Sequence, residues 1–114
     1  MELPQEAMLL RIFVGERDRA GGRPVHEAIV ERARAQRLAG ATVLRGPMGF
    51  GRSAHVHRAA LLELSEDLPI VIEIVDAEAK IQAFLPELER LMVKGLVTVQ
   101  RVTVIRYGDQ APTG

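Results

Sequence analysis

The sequence predicts an α+β domain built as βαββαβ, with one antiparallel sheet and both helices on the same face. Three observations lead there. Four short apolar runs and two amphipathic stretches follow one another as strand, helix, strand, strand, helix, strand, the split βαβ arrangement of ferredoxin-like folds. The strands are apolar at nearly every position, with Arg11, Glu73 and Arg101 as the main exceptions, so both faces of the sheet require cover. A chain of 114 residues holds a substantial core but not two, so residues 1–114 read as a single domain.

Met8 to Val14 (M-L-L-R-I-F-V) has the length and composition of a strand and stops at Gly15. Glu16 to Arg23 is a charged, glycine-containing loop, and Pro24 suits the first helical position, where its missing N–H is not needed. Val25, Ala28, Ile29 and Ala33, continued by Gln36 or Arg37, trace a 3.6-residue period with Glu27, Glu31 and Arg34 on the wet side. Gly40 is placed as the C′ residue of this helix. Thr42 to Leu44 begins the second strand. Ser53 to Leu68 shows no clear period, and His57 to Leu64 reads as either a helical turn or a strand. Pro69 introduces Ile70 to Val75 (I-V-I-E-I-V), the plainest strand of the chain. Asp76 suits the N-cap of the next helix, whose apolar stripe is Ile81, Phe84, Leu85, Leu88, Leu91 and Met92. Pro86 removes a backbone bond inside that stripe and predicts a kink or restart near Phe84 to Pro86. Lys94-Gly95 ends the helix and Leu96 to Ile105 is the last strand, while the polar ends, residues 1–6 and 108–114, are expected to fray.

Composition narrows the function. Fifteen basic residues cancel fifteen acidic ones, so no global field draws nucleic acid or an anionic membrane. Aromatic residues are few (Phe13, Phe50, Phe84 and Tyr107), too few for a base-stacking platform. With no cysteine there are no disulfides and no thiolate metal sites. Met1 to Glu6 lacks the apolar run of a signal peptide, and no apolar stretch reaches membrane-spanning length, so a cytoplasmic protein is expected.

Chemistry concentrates between Leu38 and His57. Gly46, Pro47, Gly49 and Gly51 crowd together, bracketed by Arg45 and Arg52 and followed by His55 and His57. Such a segment either turns backbone N–H groups towards an anion or lets two backbones approach closely, and both readings stand at this level. The spacing from Gly46 to Gly51-Arg52-Ser53 imitates a Walker A loop, with I-V-I-E-I-V-D at Ile70 to Asp76 imitating a Walker B strand. Arginine does not replace the phosphate-reaching lysine, and the element order cannot build the parallel sheet a P-loop requires. His55-x-His57 offers two imidazoles where a metal needs three or four ligands, so no metal site is expected and the pair reads as a partner-contacting loop, with Phe50. His26 reads as a surface residue. Glu73 lacks a nucleophile or second carboxylate to complete a catalytic site and reads as the partner of Arg11 or Arg101. No catalytic residues and no cofactor are therefore expected.

Several segments together resemble one known family. These are F-V-G-E at Phe13 to Glu16, P-V-H-E-A-I-V from Pro24, L-A-G-A-T-V-L-R-G-P-M-G-F-G at Leu38 to Gly51, L-P-I-V-I-E-I-V-D at Leu68 to Asp76, F-L-P at Phe84 to Pro86 and G-L-V-T-V-Q-R-V at Gly95 to Val102. The chain resembles Domain of Unknown Function family 190, a PII-like family, from Leu9 to Tyr107. The resemblance implies ferredoxin-like subunits assembled as trimers, adenine nucleotides in the clefts between subunits, and a partner-binding T-loop between the second and third strands. It places the T-loop equivalent at Gly49 to Asp67 and sets Lys94-Gly95 near the phosphate-binding B-loop. The B-loop is reduced here to those two residues, and the tyrosine that some PII proteins modify is absent between Gly49 and Asp67.

The expected function is a homotrimeric signalling protein that binds a small anion, such as an adenine nucleotide, between subunits and displays residues 50–67 to a protein partner. The expected ligand residues are Arg45, Gly49, Gly51, Arg52, Lys94 and Gly95, with Arg101 and Arg106 reaching across the cleft; Phe50, His55 and His57 face the partner. The alternative is a ligand-free trimeric scaffold, an accessory to a membrane transporter or channel.

Overall fold

The computed structural model describes residues 2–59 and 67–112. Its elements are β1 (Glu6–Gly15), β2 (Arg19–Ala20), β3 (Arg23–Pro24), α1 (Val25–Ala35), β4 (Thr42–Arg45), β5 (Met48–Gly49), β6 (His57–Arg58), β7 (Pro69–Asp76), α2 (Glu78–Leu91) and β8 (Leu96–Thr103). The main sheet has the order β4-β7-β1-β8, and each neighbouring pair is antiparallel. With β1, α1, β4, β7, α2 and β8 as its frame, this is the α+β, ferredoxin-like arrangement that the element order predicts.

Strand alternation sorts the apolar residues. Met8, Leu10, Ile12 and Val14 of β1 and Ile70, Ile72 and Ile74 of β7 are buried against Val25, Ile29 and Ala33 of α1 and Ile81, Phe84 and Leu88 of α2. Each of the larger side chains contributes about 1.5–3 kcal/mol by leaving water, and Ala33 less. The opposite face carries Leu9, Arg11 and Phe13 paired with Val75, Glu73 and Val71, all only half-buried. Arg11 and Glu73 are register partners, and the guanidinium donates to the carboxylate from Nε at 2.9 Å and Nη2 at 2.8 Å. The expected strand-to-strand ion pair is thus formed with Arg11, while Arg101 lies 3.5 Å from Glu78.

The edge strand β8 is exposed at every position but Val102, and leaves Leu96, Val97 and Val99 to solvent. On the other edge, Val43 and Leu44 of β4 are exposed as well. Among the described residues, Leu3, Val104 and Tyr107 cover only the Ala7–Val75 end of the second apolar sheet face, and Leu9, Phe13 and Val71 stay half-exposed.

Element ends differ from expectation in instructive ways. Helix α1 ends before Gly40: Arg37 takes φ 60°, Leu38 N donates to Ala33 O and Arg37 N to Arg34 O. Those two bonds make a Schellman motif, and burying Leu38 against the core holds a non-glycine residue in the left-handed conformation. Pro24 is the N-cap of α1 rather than its first residue. Arg19–Ala20 and Arg23–Pro24 pair across Gly21 and Gly22, whose φ values of 58° and 82° make the two-residue loop of a small hairpin.

Asp76 does not cap α2; the N-cap is Ala77. Asp76 instead ends β7 with a 2 % exposed carboxylate that accepts from Ala39 N at 2.8 Å and Ala77 N at 2.7 Å, with Lys80 Nζ at 3.8 Å. It ties the loop after α1 to the start of α2. Helix α2 runs unbroken through Pro86 and does not restart there. Pro86 and Gln82 are both exposed, so water can satisfy the carbonyl that proline leaves without a donor. The helix ends at Leu91, short of Lys94, and β8 ends at Thr103, short of Ile105.

The polar ends are tied down where they are described. Leu3 is buried with Ala7 and Val104, Val104 N donates to Gln5 O, and Tyr107 to Gln110 closes a turn whose phenol donates to Ala39 O at 2.6 Å. Among the described helices, none is long and apolar enough to cross a membrane.

Candidate functional site

The sheet brings several loops to one end. Gly15 is opposite Pro69, Arg45 opposite Ile70 and Leu96 opposite Phe13, so the exits of β1 and β4 and the entries of β7 and β8 share that edge. Arg45, Lys94 and Gly95 therefore stand around a common centre, the loop from Gly15 to Asp18. Arg45 Nη1 donates to Glu16 Oε2 at 2.8 Å, and Lys94 Nζ lies 3.5 Å from Asp18 Oδ1.

Beside Lys94, a half-open groove of about 340 Å³ runs between α2 and the start of β8, lined by Leu85, Leu88, Met92, Val93 and Val97 with Glu89, Lys94 and Gly95. A smaller hollow of about 70 Å³ is lined by Asp18, Arg19, Val25, Val93 and Lys94. Lys94 borders both. The groove mixes apolar side chains with one cation, Lys94, and one carboxylate, Glu89.

Gly95 has a backbone task as well. Its φ is +132°, and a Cβ there would lie 2.6 Å from Phe13 O and 2.6 Å from Met92 Cε. Only glycine lets the chain turn into β8 this close to β1. Gly46 N donates to Pro69 O at 2.8 Å, and a Cβ on Gly46 or Gly49 would fall 2.9 or 3.0 Å from Pro69 Cγ. Close approach to Pro69 thus accounts for two of the clustered glycines, while Gly51 faces open space.

The segment after Gly46 forms a hairpin, with Met48 opposite Arg58 and Gly49 opposite His57. In a P-loop the glycine-rich segment would instead lead into a helix. At its tip, Ala54 N donates to Gly51 O at 2.9 Å with Ala54 at φ 63°. Phe50 is 70 % exposed there, beside exposed Met48 and Val56. The rings of His55 and His57 meet edge to face at 4.5 Å. Among the described residues, no three His, Asp or Glu side chains gather as metal ligands. The described part of His57 to Leu64 is extended, and its remainder lies outside the described residues.

Arg101 is opposite Met8, at the far end of β8 from Lys94. Leu96 to Arg101 alone spans about 17 Å at the usual rise per strand residue, so one subunit does not bring Arg101 or Arg106 to the other cations. His26 is half-buried rather than on the surface, and its Nδ1 is buried with no hydrogen-bond partner among the described residues. The residues that sequence reasoning passed over are Glu16, Asp18 and Asp67. Their charges were legible, but not that this loop would stand between Arg45 and Lys94.

The fold is that of the PII-like proteins. CPII of Thiomonas intermedia K12, a nitrogen regulatory PII-like protein whose solved structure holds ADP, AMP and bicarbonate, superposes with TM-score 0.62 at 19 % identity, covering 89 % of this chain and 90 % of that one. A second CPII structure, bound to ADP and bicarbonate, gives TM-score 0.59 at 21 % identity and the same coverage. Within that class the chain belongs to the DUF190 family, described as Uncharacterized ACR, COG1993, which it matches over residues 7–104. It is 40 % identical to a UPF0166 protein of Aquifex aeolicus over 85 % of this chain and 91 % of the relative. A UPF0166 protein of Methanocaldococcus jannaschii is 33 % identical over 82 % of this chain and 87 % of the relative.

Proposed function

We propose that this protein is a cytoplasmic, non-catalytic PII-like regulator, a homotrimer that binds a small anionic ligand of the adenine-nucleotide class between subunits. The observation that carries the reading is that Arg45 and Lys94 both reach the Gly15–Asp18 loop at one sheet end, where Lys94 and Gly95 also line the groove between α2 and β8. The base would lie along Leu85, Leu88 and Met92, and the phosphates would meet Lys94 and Arg45. Gly49, Gly51 and Arg52 of the hairpin would close on the same ligand. Arg101 and Arg106 can join only from a neighbouring subunit, because each chain holds Arg101 at its opposite end. Residues 50–67 would contact a protein partner through Phe50, His55 and His57.

Trimer formation is supported by the half-buried apolar face of Leu9, Phe13, Val71 and Val75, continued by exposed Leu44 and Leu96. Apolar strand residues left partly in water on one continuous sheet face, rimmed by polar groups, mark a protein–protein contact surface. Light scattering should give three chains per particle, and a folded monomer at micromolar concentration would refute the assembly. Titration calorimetry with ADP and AMP tests the ligand. At one hundred times Kd a ligand stabilises the folded state by about 2.7 kcal/mol, so a thermal-shift series reads the same event.

One observation favours the scaffold alternative. Met48, Phe50 and Val56 leave apolar side chains exposed along the hairpin, which needs no ligand to meet a transporter or channel. A trimer with no nucleotide response that still binds a membrane protein through this hairpin would select that reading.

A further inference from the structure

The loop between β1 and β2 is held by bonds that do not involve the Glu16 side chain. Gly15 N donates to Asp18 Oδ2 at 2.9 Å, Arg17 N to Asp67 Oδ1 at 2.8 Å, and Glu16 N to Leu68 O at 2.8 Å. Asp18 O accepts from Val25 N at 2.8 Å, which fixes the far end. Asp18 is thus part of the scaffold as well as the neighbour of Lys94. The Glu16 carboxylate has a different position. It is placed by a rigid loop, and its described contact is Arg45 Nη1 at 2.8 Å.

A carboxylate and a phosphate compete for the same guanidinium donors, and Arg binds either through charge-assisted bonds. An incoming phosphate at Arg45 would also meet the negative charge of Glu16 within a few ångströms. We infer that Glu16 is an internal competitor for the anion site. Its carboxylate holds Arg45 in the empty protein, is displaced when a phosphate-bearing ligand binds, and so lowers the ligand affinity. This inference rests on the proposed role of Arg45 in ligand binding. The same contact could instead orient Arg45 towards the ligand, and the two roles predict opposite signs.

Glu16→Gln removes the charge and leaves the backbone bonds of the loop in place. Binding of ADP and of inorganic pyrophosphate would be measured by calorimetry, at one salt concentration, for the parent, Glu16→Gln, Glu16→Gln/Arg45→Ala and Glu6→Gln. Glu6 lies at the opposite end of β1 and controls for net charge. The expected result is that Glu16→Gln binds about three- to tenfold more tightly than the parent, the range spanned by an exposed ion pair plus a removed like charge. Glu6→Gln should match the parent, and the double variant should lose the gain. Equal or weaker binding by Glu16→Gln, beside a parent that binds, overturns the inference and leaves the proposed function standing. An equal gain in Glu6→Gln also overturns it, since net charge would then be the cause. If neither the parent nor Glu16→Gln binds either probe, the proposed anion site falls and the inference with it. Unchanged circular dichroism and particle mass would exclude misfolding as the source of any difference.

Discussion

Gly95→Ala tests how β8 enters the sheet. At φ +132° the residue sits where L side chains rarely go, and a Cβ would stand 2.6 Å from Phe13 O, a backbone atom that cannot swing aside. The 2.6 Å approach to Met92 Cε matters less, because that methyl is the end of a flexible side chain. Relieving the clash means moving the start of β8, where Leu96 is opposite Phe13. Backbone strain of this kind costs about 1–3 kcal/mol and local overpacking a similar amount, so about 3 kcal/mol is expected in total. For a domain of this size that corresponds to a fall in Tm on the order of 12 °C. Thermal and urea unfolding, at one fixed protein concentration, would measure it. Gly40→Ala is the matched control: it has ordinary φ and nothing within 4 Å of its Cβ, and should be neutral or slightly stabilising. A Gly95→Ala protein that melts within about 3 °C of the parent would refute the argument for steric necessity.

Asp76→Ala should cost about 1–3 kcal/mol, because the part-buried Ala39 N–H loses its acceptor; a urea midpoint unchanged from the parent would contradict this. Pro86→Ala should raise Tm, since the exposed site regains an N–H for the Gln82 carbonyl without losing core contacts. Thermal unfolding followed by circular dichroism reads that sign. Phe13→Glu, on the half-exposed sheet face, should leave the helix-side core intact but dissociate the proposed trimer, and light scattering that still gives three chains would place the interface elsewhere. The hydrogen bond from Arg23 holds the Glu31 carboxyl below its ordinary range. A lowered folded-state value means that this contribution is present above the ordinary carboxylate pKa and lost as pH falls through the lowered one. Arg23→Ala should therefore raise the Glu31 titration midpoint in an NMR experiment.

The order of the major elements was legible because it depends on local period and composition. Ile70 to Val75 can only be a strand, and Ile81, Phe84 and Leu88 share one face of any helix they form. That Glu73 pairs with a strand arginine was legible too, as opposite charges on otherwise apolar strands, but the choice of Arg11 over Arg101 came from register. Where competing local signals met, tertiary contacts decided. Gly40 is a good helix stop, yet Arg37 takes the left-handed position because burying Leu38 outweighs the strain. Asp76 is a good N-cap, yet its carboxylate turns to Ala39, a donor 37 positions away in sequence. The site divides in the same way. That arginines and glycines cluster near Arg45 is a fact of sequence; that Lys94 reaches the same Gly15–Asp18 loop as Arg45, and Arg101 does not, follows from antiparallel register, which sets Leu96 opposite Phe13 and Arg101 opposite Met8. Register also puts Glu16 against Arg45. No local rule relates residues 29 positions apart; the contact exists because β1, β7 and β4 end at one edge of one sheet.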